Sequence, residues 1–496
     1  MVEHVRKAVV VGAGPVGCLA AISLAKMGWL VDIYDGRPDM RLPSSKATAQ
    51  QRSINLAISA RGIAAIQAIE PAMADRFMEA VIPMRGRMIH LSDGRQESQT
   101  YDRNGQCINS ISRAYMNENL LDEALAIPNI RAFFLHKVTS VDFDKRVMVV
   151  QDLEARRDAQ INFDLCVGAD GSYSVVRRQL MRVVRMDYQQ EYIPHEYLEL
   201  KMPAGPPAAA SDEPSFLLDP NHLHIWPRHT FMLIALPNKD KTFTCTLFAP
   251  TEQFDRLKTP QEIIAWFKAQ FPDALPLIGE QALLEDFAQN PRSPLISIKT
   301  NPYHYKDRAI ILGDAAHAMV PFFGQGLNCG LEDVRVLDVL LRAEGVNPTA
   351  HAKEGQEDQA LARTLSRYSA TRHEDLVAIC DLAMENYVEM RHDVVTPAYI
   401  LRKTLDNFLY AMSSQQVTAS AIIPRLAQVA FPTSSPSGWL PLYTMVTFRP
   451  DISYSTARRK VNRQNRFLQS ASWIGAVSGF GLLAVTCVAI LRRVDH

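Results

Sequence analysis

The chain has 496 residues, enough for several domains with ample core. Its 53 Lys and Arg balance its 53 Asp and Glu, so electrostatics gives no support for a nucleic-acid partner. Seven cysteines, at 18, 107, 166, 245, 329, 380 and 487, form no C-x-x-C pair. That scatter suits reduced, mostly buried thiols and a cytosol-facing body, not a disulfide framework.

Near the N-terminus a β-branched run, Val9-Val10-Val11, predicts a buried strand passing into Gly12-Ala-Gly14-Pro-Val16-Gly17. In this G-x-G-x-x-G spacing the first glycine allows a tight turn and the second lets a pyrophosphate approach the backbone. The third lets the next helix pack closely on the strand. Ala20, Ala21 and Ala25 are small enough to keep that helix against a sheet. A second strand over 29–35 ends in Asp35. It stands about 20 residues on, where a carboxylate accepts from adenosine ribose hydroxyls. The glycines argue against a signal peptide in the apolar run 8–25.

A third segment, Phe163 to Arg177, pairs a buried-strand pattern with Gly168-Ala-Asp170-Gly171 and a helix starting near Ser172 or Ser174. No second G-x-G-x-x-G follows, so a separate dinucleotide domain for a nicotinamide cofactor is not expected. Metal chemistry has little support. His195-Glu-Tyr-Leu-Glu199 lacks the second His of H-E-x-x-H, and His222 and His224 have no third ligand nearby in sequence. Residues 222–227, 230–237 and 241–248 predict three strands with turns at 227–229 and 238–240.

The run 313–333 carries the most information. A strand pattern, Ala309-Ile-Ile-Leu, stops at Gly313-Asp314, and Gly324 and Gly326 let the chain turn before a helix. The N–H groups opening that helix favour negative charge, as develops on a reduced isoalloxazine ring. Asp314 offers an acceptor to a sugar-type hydroxyl, so this segment is expected to hold the ribityl chain and ring of FAD. Residues 343–469 read as mostly helical, with polar breaks at 345–358 and 413–438. The second break, rich in Ser, Gln, Ala and Pro, looks like a mobile insertion.

Residues 470–491 carry no charge, and about 20 apolar residues suffice to span a bilayer as a helix. Arg458, Arg459, Lys460, Arg463 and Arg466 precede the stretch, while Arg492 and Arg493 follow it. The larger basic cluster predicts a body facing the cytosol, and the few residues after the span match a tail anchor. The basic stretch could also attract anionic lipid.

In this order the three glycine segments resemble the flavoprotein aromatic hydroxylases, or class A flavin monooxygenases. Longer blocks are similar to the kynurenine 3-monooxygenase family. They include Arg52-Ser-Ile-Asn-Leu-Ala57, Ile82-Pro-Met-Arg-Gly-Arg-Met-Ile-His90, Leu223-His-Ile-Trp-Pro-Arg228 and Val320-Pro-Phe-Phe-Gly-Gln-Gly-Leu-Asn328. Asn386-Tyr-Val-Glu-Met-Arg391 and Pro441-Leu-Tyr-Thr-Met-Val-Thr-Phe448 belong with them. The resemblance covers about 5–448, and the loops 343–358 and 413–438 fall outside it.

The resemblance implies an α/β fold in which a Rossmann-like FAD-binding domain (1–75, 105–180, 295–342) interleaves with a smaller sheet domain for substrate (76–104, 181–294). A helical region (343–469) and a transmembrane anchor (470–491) would follow, in the mitochondrial outer membrane. It implies non-covalent FAD, NADPH as co-substrate, O2, and L-kynurenine hydroxylated to 3-hydroxy-L-kynurenine through a flavin C4a-hydroperoxide. That reaction serves tryptophan degradation and NAD biosynthesis, and it requires no side-chain nucleophile. Arg85 would pair with the substrate carboxylate, with Tyr101, Asn386 and Tyr443 completing the polar end. Leu223, Ile225, Met232, Ile234 and Phe248 are candidates for the ring slot. Around FAD the resemblance places Gly12, Gly14, Val16 and Gly17 at the first turn and Tyr34, Asp35, Gly36 and Arg37 at the adenosine. Ala57, Arg113, Val138 and Asp170 lie along the cofactor, Asp314 at the ribityl chain, and Leu327 and Asn328 at the ring. Two rival readings stay open: a related hydroxylase of another aromatic acid, and a flavin-binding scaffold without turnover.

Overall fold

β-Branched side chains with no exposed surface put the strand Lys7–Val11 at the middle of a six-stranded sheet. In this computed structural model, which describes residues 5–45, 55–207, 212–349, 357–413, 419–432 and 436–470, the strand order is His304–Tyr305, Ala309–Ile311, Leu165–Gly168, Lys7–Val11, Leu30–Tyr34, Ile130–Phe133. Every pairing is parallel except that of His304–Tyr305 with Ala309–Ile311. All three glycine segments therefore leave adjacent parallel strands at the same end of one sheet, where ligands of open α/β sheets bind.

The second large sheet has seven strands in the order Ser293–Asn301, Asp187–Met202, Phe243–Pro250, Phe231–Pro237, His222–Arg228, Gly86–His90, Gln96–Thr100. The three strands expected between 222 and 250 are its centre. Alternation divides their side chains. Trp226, Leu233 and Leu247 pack in a separate core that includes Phe267, Phe271 and Leu283. Leu223, Ile225, Met232 and Phe248 instead join the main core shared with the cofactor-binding half. Asp187–Met202 is long enough to serve two neighbours, and its register shifts between Ile193 and Glu196, around Pro194, which has no N–H to give the ladder.

The domain limits differ locally from expectation. Position 75 falls inside the helix Pro71–Ala80, and Ile82–Met84 pairs with Ile108–Ile111 in a small sheet beside Leu56–Ile58. A helix of 33 residues, Gln359–Arg391, about 50 Å long at 1.5 Å per residue, runs past both halves. Of the stretch 413–438, residues 414–418 and 433–435 lie outside the described residues, and the described part corrects the insertion reading. Ala419–Leu426 is helical, and Ile422, Ile423 and Leu426 are buried against Ala64. Its apolar residues sit three and four apart, which composition alone conceals. No helix among the described residues is long and apolar enough to cross a membrane, and the expected span lies outside them apart from Ser470.

Candidate active site

A cavity of about 510 Å³ opens between the two sheets, and its walls bring together residues distant in sequence. At one end the helix Pro15–Lys26 points its N-terminus into the cavity, with Gly14 as a cap that has no side chain to occupy the free N–H groups. The three glycines divide the labour as expected. Gly12 has φ +104°, and a Cβ there would come within 2.4 Å of the Ala169 carbonyl oxygen. A Cβ on Gly17 would lie 2.0 Å from the Gly12 oxygen, so Gly17 packs beneath the turn and does not line the cavity. A Cβ on Gly14 would meet nothing within 4 Å, because that side is open to the cavity.

Tyr34, Asp35, Gly36, Arg37 and Val138 line the same end. Asp35 accepts from the Ala13 N–H at 2.9 Å and from Arg37 through Nε at 3.0 Å and Nη2 at 2.8 Å. Burial works against its charge, and Arg37 more than offsets this, holding the carboxyl below the usual range. Lys137 also lines this end; a lone lysine on a strand carries no pattern by which sequence could single it out. Farther in stand Ala57 and Arg113, the latter opening the helix Arg113–Leu125 behind its Ser112 cap.

Asp170 lines the cavity but spends its carboxylate on the helix Val175–Leu180, accepting from the N–H groups of Val175 at 2.6 Å and Val176 at 3.2 Å. Arg177, on that helix, donates to the Ala315 carbonyl at 2.8 Å and so ties the second glycine turn to the third. Asp314 lies deep in the molecule with its side chain open to the cavity, and burial pushes its pKa up against the opposing charges of His317 and Arg113. Its turn is held from below by Asp333, which accepts from the Gly313 N–H at 3.1 Å, His317 Nε2 at 2.5 Å and Arg372 Nε at 3.1 Å.

Gln325, Gly326 and Leu327 present the start of the helix Gly326–Ala343 to the cavity, and no side chain caps it. Gly324, at φ +65°, makes the preceding turn. Asn328 does not reach the cavity. Its Oδ1 accepts from the Ser59 N–H at 2.8 Å, while Nδ2 donates to the Ala57 and Gly324 carbonyls at 2.8 and 2.6 Å. It fixes the backbone on both sides of the helix start.

The far end differs most from expectation. Arg85 is exposed and does not line the cavity; Arg87 is buried and does. Ile82–Met84 and Gly86–His90 belong to different sheets, so the chain crosses between them at Arg85 and the strand alternation restarts. The Arg87 guanidinium lies 5.6 Å from the Tyr101 ring centre and 5.3 Å from that of Tyr443, and the two rings stack at 4.8 Å. Arg87 Nε and the Tyr101 hydroxyl are buried without a hydrogen-bond partner in good geometry. Asn386 acts one step back, donating Nδ2 to the Phe322 carbonyl at 2.7 Å, while Tyr387 stacks on the Phe322 ring at 4.0 Å. Between this polar end and the glycine turns, Leu223, Ile234, Phe248, Met319, Phe322 and Phe323 make an apolar wall. Ile225 and Met232 are fully buried behind it.

The FAD binding domain family matches residues 6–374. Kynurenine 3-monooxygenase of Cryptococcus neoformans is 44% identical over 99% of this chain and 98% of its own length. The Saccharomyces cerevisiae enzyme of that name is 40% identical over 93% of each. The chain belongs to the kynurenine 3-monooxygenase family. The 2-methyl-3-hydroxypyridine-5-carboxylic acid oxygenase structure shares the fold, with a TM-score of 0.59 at 18% identity over 80% of this chain and 95% of that one. So does Pseudomonas aeruginosa PqsL in complex with 2-aminobenzoylacetate, at a TM-score of 0.60 and 17% identity over 78% and 97%.

Membership makes the chain an FAD-dependent aromatic monooxygenase of a family that uses NADPH. The residues present fit the cofactor: an open glycine at a free helix N-terminus, Asp35 for the ribose, and an aspartate facing the cavity from a buried turn. Among the described residues one group has a metal-like makeup, His317, Cys329 and Asp333, all buried. Asp333 is already committed to an amide, His317 and Arg372, so the group serves to brace the Gly313 turn.

Proposed function

We propose that this enzyme converts L-kynurenine, NADPH, a proton and O2 to 3-hydroxy-L-kynurenine, NADP+ and water, within tryptophan degradation and NAD biosynthesis. The observation that carries the substrate is the buried Arg87 at the end of an apolar slot, its Nε and the nearby Tyr101 hydroxyl having no hydrogen-bond partner in good geometry. A planar guanidinium takes a carboxylate through two parallel hydrogen bonds, and the phenol adds a third donor. Glu389, outside the cavity lining, accepts from Arg87 at 3.1 Å and from the Tyr399 hydroxyl at 3.0 Å and so holds the guanidinium in place. An amino acid whose carboxylate meets Arg87 and whose aromatic tail fills the slot matches these features.

When bound, FAD supplies the two-electron chemistry that takes reducing equivalents from NADPH and activates O2 for transfer of one oxygen atom. This chain's own residues position and shield. Arg87 and Tyr101 anchor the amino-acid end, and Phe322 and Phe323 keep the aryl ring in a dry slot, the first held by Asn386 and Tyr387. The uncapped start of the helix Gly326–Ala343 favours negative charge at the cavity. The ring's own amino group directs substitution to the carbon ortho to it. No side chain acts as a nucleophile.

We also infer that residues 470–491 anchor the enzyme in the mitochondrial outer membrane with its body toward the cytosol. An uncharged stretch preceded by several arginines supports that placement. The test of function is NADPH oxidation with and without L-kynurenine, with product identification. Formation of 3-hydroxykynurenine supports the assignment. Turnover on another aromatic acid but not on kynurenine defeats it, and protein purified without flavin absorbance defeats the whole scheme.

A further inference from the structure

Helix Pro397–Ser413 is built the wrong way round for a surface helix, which ordinarily turns its apolar stripe inward. Its exposed positions, 397, 398, 400, 401, 404, 405, 407, 408, 411 and 412, include no charged residue. Ile400, Leu401, Leu405, Phe408 and Met412 are 44%, 72%, 37%, 58% and 71% exposed. The charged residues face the protein instead. Arg402 donates to Asp406 and to Asn465, both at 2.9 Å; Lys403 donates to Gln99 at 3.2 Å; Asp406 accepts from Trp439 at 2.8 Å. Charges held in hydrogen bonds on the inner side and an uncharged, mostly apolar outer face, broken only by Thr404 and Asn407, are what a helix in contact with lipid requires.

We propose that this outward face lies in the headgroup and acyl boundary of a phospholipid bilayer. The occupant follows from where the stripe sits. Asn465, the partner of Arg402, is on the helical segment 454–470, which leads straight into the uncharged stretch 470–491. Phe467 on that segment is 64% exposed, and Arg463 and Arg466 beside it are exposed cations suited to lipid phosphates. The stripe, the aromatic and the cations are thus grouped where the chain would enter a membrane. The proposal rests on reading 470–491 as the anchor, and adds a second, peripheral contact that would fix how the body leans on the bilayer.

The test uses the full-length holoenzyme with p-benzoyl-phenylalanine replacing Phe408, reconstituted in phosphatidylcholine–phosphatidylserine vesicles and illuminated after flotation. Retained flavin absorbance shows that the variant is folded. Mass spectrometry of the photoproducts is expected to find phospholipid joined to residue 408. The yield should be on the order of tenfold above that from the same probe at Leu153, an exposed apolar residue on a distant turn. An adduct with a second copy or with segment 471–491, or no adduct above the Leu153 level, overturns the proposal while leaving the anchor standing. Failure to float with the vesicles overturns both.

Discussion

Arg87 and Glu389 form an ion pair of 3.1 Å across the cavity end, joining the seven-stranded sheet to the long helix, with side chains 6% and 35% exposed. Burial disfavours the guanidinium charge, but Tyr399 and Glu389 hold it above the ordinary arginine range, so the cation persists at every working pH. Replacing Arg87 by Ala should raise the KM for kynurenine roughly 10- to 150-fold, the loss of about 1.5–3 kcal/mol for hydrogen bonds to a charged group. Bound flavin should be unchanged. Arg85→Ala, at an exposed position off the cavity, should stay within about twofold of the parent. Steady-state kinetics with flavin content for both variants decides which arginine holds the substrate.

Gly14 and Gly17 lie three residues apart and should fail differently. A Cβ on Gly17 collides with the Gly12 carbonyl at 2.0 Å, so Gly17→Ala must displace backbone and should lower the melting temperature as well as flavin content. A Cβ on Gly14 meets no protein atom. Gly14→Ala should therefore cost the apoprotein under about 1 kcal/mol yet release FAD, since the methyl occupies the side from which the pyrophosphate approaches. Melting curves of the apoprotein beside flavin titrations separate the two effects; equal destabilisation would refute the division.

Backbone demands made the cofactor half legible. A turn at positive φ, a helix packed on its own strand and an acid at the next strand end leave few residue choices, so Gly12, Gly17 and Asp35 could be assigned from order alone. The three central strands of the second sheet were legible for a similar reason, since alternation over 222–250 permits few other pairings. Arg87 escaped because side-chain direction depends on which sheet a strand joins, and the change of sheet at Arg85 leaves no local mark. Asn386 and Asn328 were found, yet their roles were not. A buried amide that fixes a loop carbonyl looks in sequence like one that meets a ligand. The H-E-x-x-E run proved uninformative for a geometric reason: His195 and Glu199 sit on an extended strand, where positions four apart are separated by roughly 13 Å.

Glu199 is buried on that strand with Oε1 unpartnered, and burial raises its pKa to about 7 against the pull of Arg113. The unfolded chain loses this proton near the ordinary value of about 4.5. The folded state thus binds it more tightly, and the associated stability is full below pH 4.5 and fades as pH rises through 7. Glu199→Gln should abolish that decline and leave the variant more stable than the parent at pH 8 by roughly 2–3 kcal/mol, with little difference at pH 4.5. Urea midpoints at both pH values test this. A variant destabilised equally at each would show that the carboxyl proton is irrelevant.

Glu332 poses the opposite case. It accepts from Arg61 at 2.7 Å and from Arg372 at 2.8 Å, with every side chain at most 3% exposed, and Arg335 lies 3.6 Å away. Burial would raise its pKa, yet Arg61 and Arg372 overcome this and bring it to about 2. Here the unfolded state binds the proton more readily, so stability is full above pH 4.5 and declines as pH falls toward 2. Arg61 comes from the helix Ala60–Ile69, Glu332 from the helix below the flavin turn, and Arg372 from the long helix, so the cluster locks three elements that meet beneath the cavity. Removing one charge leaves the others buried and unbalanced, which costs about 3–5 kcal/mol. Glu332→Gln should lose that much at pH 7 and flatten the decline between pH 4.5 and 2. Flavin loss should precede global unfolding, because the same helix begins at the cavity and Asp333 beside it holds the Gly313 turn. Parallel melts followed by flavin fluorescence and by far-ultraviolet circular dichroism test the order; coincident transitions would place the cluster in general stability alone.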